Sequence, residues 1–259
     1  MALATRTLAS IDLAAELFRN ARRAVALTGA GISTPSGIPD FRSEGTGLWS
    51  RDEPMEVASL STFRTHPERF FKWFRGLAGQ IYQAEPNPAH VALANWESNG
   101  LLQAVITQNI DHLHQKAGSK NVVEMHGTLS TLSCTQCFHQ YGYQDFLQAF
   151  VVDGIMPICP ACGAVLKPDV ILFGEQLPQK AWYEAQRLSR TCDLMLVAGS
   201  SLEVLPVAGL PMQAVDRGAH LVIINQAPTY IDVRADVVIP GDVAEIIPLI
   251  GEKVQHVRY

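Results

Sequence analysis

No apolar run in this 259-residue chain approaches the roughly eighteen residues that a membrane-spanning helix needs, so the sequence does not describe a helical membrane protein. Cysteine is scarce. Of five cysteines, four stand in two CxxC pairs, which fits a reduced compartment holding a metal better than a secreted disulfide framework. An excess of positive charge is also missing: 20 Lys and Arg face 25 Asp and Glu for a net charge of −5, so no global field draws the chain to nucleic acid or anionic lipid. Internal repeats and low-complexity tracts are absent. What remains is 47% hydrophobic and 17% charged, enough to bury one large core with insertions or a large and a small domain. The segment Met1 to Arg23 patterns as an amphipathic helix. Its Arg6, Arg19, Arg22 and Arg23 would suit an organellar leader, but Asp12 and Glu16 argue against one. The chain therefore reads as soluble and cytoplasmic, without a membrane or direct nucleic-acid partner.

Strand-like apolar runs recur at Ala24 to Thr28, Ala104 to Thr107, Val122 to Met125, Val170 to Phe173, Leu194 to Ala198, Leu221 to Ile224 and Val237 to Ile239. Most are continuous rather than alternating, as in parallel strands covered on both faces. Helical stretches such as Asn87 to Ser98, Pro178 to Arg190 and Pro206 to Arg217 supply the crossovers, so the class is α/β with a doubly wound parallel sheet. Two stretches break the rhythm and read as insertions: 43–85, rich in Arg, Glu, Phe and Trp, and 130–167, which holds the paired cysteines. They are expected to pack together as a smaller domain, leaving 1–42, 86–129 and 168–259 for the sheet and a cleft where the two meet.

The first strand runs into Gly29-Ala30-Gly31-Ile32-Ser33, a glycine turn of the kind that opens dinucleotide-binding folds. There glycine permits positive φ and close backbone approach, and the next helix N-terminus favours an anion. The third fingerprint glycine is missing, as is a strand acid about 20 positions on. By itself the turn is equally a tight connection that binds nothing. Thr107-Gln108-Asn109-Ile110-Asp111-His112-Leu113-His114 puts amide, carboxylate and imidazoles at a strand's carboxyl end, where ligands sit in open sheets, although Asn and Asp also cap helices. Glu124-Met125-His126-Gly127 ends another strand in a histidine, a residue suited to general-base work near neutral pH and as readily structural. Gly199-Ser200-Ser201 again offers glycine and hydroxyls, suited to pyrophosphate or ribose.

Cys134-Thr135-Gln136-Cys137 and Cys159-Pro160-Ala161-Cys162 each present two thiolates, and four sulfurs close a tetrahedral shell, so zinc here is structural. The 21 intervening residues leave room for a short helix or loop at Tyr141 to Val152. A redox dithiol competes, but neither pair opens a helix in a thioredoxin-like unit. Cys192 reads as buried structure, and His139 is not needed as a ligand.

In order along Ala24 to Asn225, the blocks GAGIS, SGIPDFR, TQNID, the His126-Gly127 pair, the cysteine pairs and LKPDVILFGE resemble the signature of sirtuins of bacterial and archaeal type, NAD-dependent protein lysine deacylases. The resemblance implies a Rossmann-like NAD-binding domain, a zinc-ribbon module with a helical insertion, NAD as co-substrate, structural zinc, and acylated-lysine proteins or peptides as partners. The chain is expected to act as a monomer. Residue by residue, the resemblance implies that His126 activates a hydroxyl of the nicotinamide ribose, that Asn109 and Gln108 bind ribose hydroxyls, and that Asp111 with the backbone near Ile38 holds the carboxamide. Gly29, Ala30, Gly31, Ser33, Gly199, Ser200 and Ser201 would line the dinucleotide. Ser200 stands where the family more often has Thr, and it keeps the hydroxyl. Asn225 would take the adenosine ribose in place of the missing acid. Phe41 would shield the cleaved face, with Asp40 and Arg42 ordering its loop. Val170, Phe173, Gly174 and Glu175, with Leu202 and Val204, would bind substrate: an open backbone edge pairs with an extended peptide while an apolar tunnel takes the acyl-lysine.

The implied chemistry needs no hydride. Neutral nicotinamide leaves, the acyl oxygen captures the ribose carbon, and the products are nicotinamide, free lysine and O-acyl-ADP-ribose. Relatives that prefer acidic acyl groups place a Tyr and an Arg three residues apart on a helix in the first insertion, whereas this chain reads Arg69-Phe70-Phe71-Lys72-Trp73-Phe74-Arg75-Gly76. Acetyl or longer apolar groups are therefore expected over succinyl, with Arg75 the one residue to watch for an approach to the tunnel. ADP-ribosyl transfer or NAD hydrolysis from the same pocket stays open. A non-catalytic zinc-ribbon module ranks last, because Asn109, Asp111 and His126 are all present.

Overall fold

The computed structural model describes residues 5–41, 45, 47–50 and 52–255. Among these described residues nine strands form two sheets: β1 Ala24–Thr28, β2 Ala104–Thr107, β3 Val122–Glu124, β4 Gly127–Cys134, β5 Gln140–Gly142, β6 Leu166–Val170, β7 Leu194–Ala198, β8 His220–Asn225 and β9 Val237–Pro240. The larger sheet has six parallel strands in the order β3-β2-β1-β7-β8-β9, and the smaller has three antiparallel strands in the order β5-β4-β6. The chain thus winds outward from β1 in one direction, returns, and winds outward from β7 in the other.

β1, β2 and β7 are buried along their whole length, which is why their sequences are continuously apolar. Their side chains still alternate between faces. Ala24, Ala26, Leu194 and Leu196 meet Phe18, Leu93, Trp96 and Ile247 from helices Thr5–Asn20, Pro88–Ser98 and Val243–Gln255. Val25, Leu27, Met195 and Val197 meet Ala185, Leu188 and Leu210 from helices Gln179–Thr191 and Leu210–Val215. Helix Pro88–Ser98 starts where proline at its first position follows Asn87, whose side chain accepts the Ala89 N–H at 3.0 Å.

Two expected elements differ. The run Val170 to Phe173 is not a strand of the large sheet: only Val170 belongs to a strand, as the end of β6 in the small one. Beyond it, Ile171 N–H donates to the His126 carbonyl at 2.8 Å and Phe173 N–H to the Ala58 carbonyl at 3.0 Å. Val170 and Leu172 are buried in a core with Phe70, Phe74 and Leu129, and the segment also walls a crevice. The stretch Pro206 to Arg217 is not one helix; it splits into a 3-10 turn, Val207–Gly209, and a short helix, Leu210–Val215.

The insertions pack on one another. Helix Pro67–Gln83 lays Phe71 and Phe74 against Phe150 of helix Gln144–Val151, with ring centroids 5.3 and 6.3 Å apart. The chain passes from one sheet to the other at Gly127, whose φ of +76° and position 2.0 Å, measured from an added Cβ, from the Asp169 carbonyl oxygen leave no room for a side chain.

Candidate functional site

The sheet reverses direction between β1 and β7, and the loops leaving their carboxyl ends splay apart there to open a crevice of about 1030 Å³. The floor is glycine against glycine. Gly31 N–H donates to the Gly199 carbonyl at 2.9 Å, and a Cβ on Gly29 would lie 2.9 Å from Ser200. Close approach, rather than positive φ, is what requires glycine in the first turn, since Gly29 is extended at φ −129°. The left-handed residue is Gly199, at φ +59°. The turn leads not to an α-helix N-terminus but into the 3-10 turns Ala30–Ile32 and Thr34–Ser36.

The turn after β2 builds the polar wall. Asn109 donates both amide protons, to the Gly29 carbonyl and to Ser33 Oγ, each at 3.0 Å, which leaves its Oδ1 to accept. Ser33 Oγ donates to Asp111 Oδ2 at 2.6 Å, and Leu113 N–H donates to Asp111 Oδ1 at 2.9 Å, so this buried carboxylate is held from both sides. Gln108 Nε2 donates to Ser200 Oγ at 2.9 Å, which joins the two loop clusters. The Gln108 carbonyl lies 2.9 Å from His126 Nδ1. A carbonyl only accepts, so Nδ1 carries the proton and Nε2 of the neutral ring is the basic nitrogen.

Behind this wall, His90 and His114 meet edge to face with ring centroids 4.8 Å apart. Burial, outweighing the opposing charge of Asp111, lowers the His90 pKa to about 4. Burial and then the neighbouring His90 hold His114 well below the ordinary imidazole value.

Of the residues singled out from the sequence, Gly29, Ala30, Gly31, Ser33, Ile38, Asp40, Phe41, Gln108, Asn109, Asp111, His126, Gly199, Ser200, Ser201 and Asn225 line the one crevice. Val170, Phe173, Gly174, Glu175 and Val204 line it too. Leu202 does not: it is 4% exposed and packs with Val197, Leu210 and Ile223 under the sheet. Arg42 lies outside the described residues. Arg75 turns away from the crevice, donating to the Val151 and Val152 carbonyls at 2.9 and 2.6 Å and so tying the two insertions together.

Sequence reasoning missed the aromatic wall. Phe70, Trp73, Phe74, Leu77 and Ile81 face the crevice from helix Pro67–Gln83, and Trp49 stacks between Phe41 and Trp73 at 5.2 and 5.6 Å. The signal was present as 3-4 spacing in that helix. Among the described residues lining the crevice there is no Lys or Arg; the charged ones are Asp40, Asp111, Glu175, Glu203 and Asp242.

The four paired cysteines gather away from this crevice, with all sulfurs within 4.8 Å of one another. Contacts run between the pairs, Cys134 to Cys162 at 3.4 Å and Cys137 to Cys159 at 3.7 Å, so the two CxxC pairs form one four-sulfur cluster suited to one shared ion. A tetrahedron with zinc–sulfur bonds of about 2.3 Å has edges of about 3.8 Å, so zinc fits. Gln136 and Cys137 N–H groups both point at Cys134 Sγ at 3.4 Å, and Tyr141 Oη lies 3.3 Å from Cys159 Sγ. His139 is not part of the group.

Comparison with known proteins places this geometry. The Sir2 family model matches residues 29–206. The chain is 46% identical over 249 residues to NAD-dependent protein deacylase 2 of Archaeoglobus fulgidus, covering 96% of this chain and 97% of that protein. A structure solved for the mechanism and regulation of Sir2 enzymes superposes with a TM-score of 0.91 at 45% identity, covering 96% of this chain and 99% of that one. A structure of Sir2Af2 bound to a myristoylated histone peptide gives 0.84 at 40% identity, covering 97% and 98%.

Two outcomes follow from the site's construction. The purified chain should carry one tightly held zinc by elemental analysis, and Cys134→Ser should lose the metal and with it soluble, folded protein; a metal-free Cys134→Ser that melts like wild type would contradict a structural zinc. For the buried histidines the sign is set by a folded pKa below the unfolded one. Between pH 6.5 and 4 the unfolded chain binds more protons, so stability falls as pH falls. With His90 near 4 when folded, that loss amounts to about 2 kcal/mol by pH 5. Urea titrations of zinc-loaded protein at pH 7 and 5 should show His90→Asn losing less stability than wild type; equal losses would show that His90 is not the group.

Proposed function

The chain belongs to the Sir2 family, and on that footing we propose that it is an NAD-dependent protein lysine deacylase, transferring the acyl group of an acyl-lysine to ADP-ribose and releasing nicotinamide and free lysine. The observation that carries this is the convergence of His126 Nε2, made the basic nitrogen by the Gln108 carbonyl, with Asn109 and the glycine floor on one crevice. NAD, as co-substrate, supplies a ribose carbon whose bond to nicotinamide breaks without hydride transfer.

The chain's own residues divide the remaining work. Asn109 Oδ1, its amide protons already engaged, accepts from a ribose hydroxyl, with Gln108 beside it. Asp111 and the Ile38 backbone hold the carboxamide. With no Lys or Arg among the described lining residues, the pyrophosphate is met by backbone N–H groups and hydroxyls of Gly29, Ala30, Gly31, Ser33, Gly199, Ser200 and Ser201, which the side-chain-free floor lets approach closely. Asn225, whose amide donates to the Ala227 carbonyl at 2.7 Å, turns its oxygen to the adenosine ribose. Once the acyl oxygen has bonded to the ribose carbon in place of nicotinamide, His126 Nε2 takes the proton of a ribose hydroxyl as that oxygen attacks the acyl carbon; a water then adds as the bond from that carbon to the lysine nitrogen breaks, giving O-acyl-ADP-ribose and free lysine. Phe41, stacked on Trp49, covers the reacting face; its loop is ordered through Asp40, whose carbonyl accepts Leu48 N–H at 3.0 Å.

The peptide extends along Gly174, Glu175 and Val204, and the acyl group passes Val170 and Phe173 toward Phe74, Leu77 and Ile81. That end is apolar, and Arg75 is committed to the Val151 and Val152 carbonyls, so a desolvated succinyl carboxylate would find no cationic partner among the described lining residues. Acetyl and longer apolar chains are the preferred substrates. The sheet domain is taken as 1–42, 86–129 and 168–259 and the smaller domain as 43–85 and 130–167, with the ends of β4 and β6, which belong to the small sheet, reaching past these bounds to Gly127 and Val170. The protein works as a cytoplasmic monomer without direct nucleic-acid contact, in keeping with a net charge of −5 and with no described helix long and apolar enough to cross a membrane.

Mass spectrometry of NAD incubated with acetyl, myristoyl and succinyl peptides tests this reading. Wild type should form nicotinamide, free lysine and the O-acyl-ADP-ribose of the first two peptides, with succinyl slowest. His126→Ala should keep fold and zinc and lose deacylation by about a hundredfold or more. Unconsumed NAD, or ADP-ribose attached to protein without lysine release, would overturn the assignment. Succinyl outpacing acetyl would overturn the acyl preference alone.

A further inference from the structure

Under the polar wall runs a buried line of hydrogen bonds that the chemistry above does not use. β1 and β2 end in paired threonines, Thr28 opposite Thr107, both buried. The Thr28 hydroxyl donates to Thr107 Oγ1 at 2.9 Å, and Thr107 Oγ1 also accepts the backbone N–H of Asn109 at 3.1 Å. At the other end, His114 Nε2 lies 2.9 Å from Thr28 Oγ1. Thr28 Oγ1 thus bridges His114 Nε2 and Thr107 Oγ1. The line joins His114 through two hydroxyls to the backbone of Asn109, whose N–H donates to Thr107 Oγ1.

Its endpoint is the turn on which the site depends. Gln108 presents the carbonyl that fixes the His126 tautomer, and Asn109 presents its oxygen to the crevice. Gln108 N–H is tied to the Thr28 carbonyl at 3.0 Å, so Thr28 grips the same turn through both backbone and side chain. Apolar residues would fill two such buried strand ends without leaving polar atoms to satisfy, so hydroxyls there call for a use. We infer that His114, acting through Thr28 and Thr107, is a positioning residue that sets the Gln108–Asn109 turn and thereby aligns Asn109 and His126. This inference rests on the deacylase reading for its consequence in catalysis, but not for its geometry.

The test uses full-length, zinc-loaded protein. Thr28→Val and His114→Leu cut the line at two points, whereas His114→Gln keeps an N–H donor near the position of Nε2. Thr28→Val and His114→Leu should each lower kcat about tenfold with the acyl-peptide KM within about twofold, His114→Gln should recover most of the loss, and the double variant should be no slower than the worse single one. Nitrogen-15 imidazole spectra of the protein alone supply a readout independent of turnover: His126 should be the Nδ1–H tautomer in wild type and a mixture in Thr28→Val. Should His114→Leu fail to fold, Thr28→Val decides by both readouts. Wild-type kcat and an unchanged His126 tautomer in Thr28→Val would overturn the inference, as would additive losses in the double variant or no recovery in His114→Gln. If wild type itself consumes no NAD, the deacylase reading falls, and the tautomer comparison still decides the inference.

Discussion

Two backbones touch at the middle of the sheet, and the site follows from that contact. Gly31 N–H meets the Gly199 carbonyl at 2.9 Å with no Cβ on either side, so the loops after β1 and β7 share one floor while the strands they feed wind in opposite directions. A side chain on Gly199 would meet the Ile32 amide at 2.3 Å and force the floor open. A concave surface lined by amides and hydroxyls, with no described cation, can approach a pyrophosphate only because nothing protrudes from it.

The other wall has a different origin. Helix Pro67–Gln83 puts Trp73, Leu77 and Ile81 into the crevice, and Phe74 both lines the crevice and stacks on Phe150 of the metal-bearing insertion. Arg75 fastens the same helix to the end of Gln144–Val151. The cysteine cluster is remote from the crevice, yet its fold braces the surface on which an acyl chain would lie. That is a physical reason for a structural metal in a protein whose chemistry does not employ one.

Much of this was legible from residues in order. Fully buried parallel strands declare themselves as unbroken apolar runs, and β1, β2 and β7 were placed on that basis. Four thiolates in two pairs specify a tetrahedral site whatever the fold around them. The errors share a cause. Val170 to Phe173 is apolar like a strand of the large sheet but packs in the smaller domain's core and along the crevice, Leu202 sits beside site residues in sequence yet packs under the sheet, and the first glycine turn needs glycine for a neighbour 168 positions away (Gly31 to Gly199) and not for its own φ. Burial on one side of a protein and burial against a ligand look alike in one dimension. The aromatic wall escaped because its 3-4 spacing also describes an ordinary core helix, and the His114–Thr28–Thr107 line because its members come from three separate elements.

The central claim is that one crevice brings His126 Nε2 and Asn109 Oδ1 to the nicotinamide-side ribose of NAD. A crystal structure of the His126→Ala protein with NAD and an acetyl-lysine peptide tests it most directly. The account predicts that ribose against Asn109, the pyrophosphate on the Gly29–Gly31 floor, and the acyl chain directed at Phe74 and Leu77. A dinucleotide bound with its nicotinamide end away from positions 109 and 126 would contradict it.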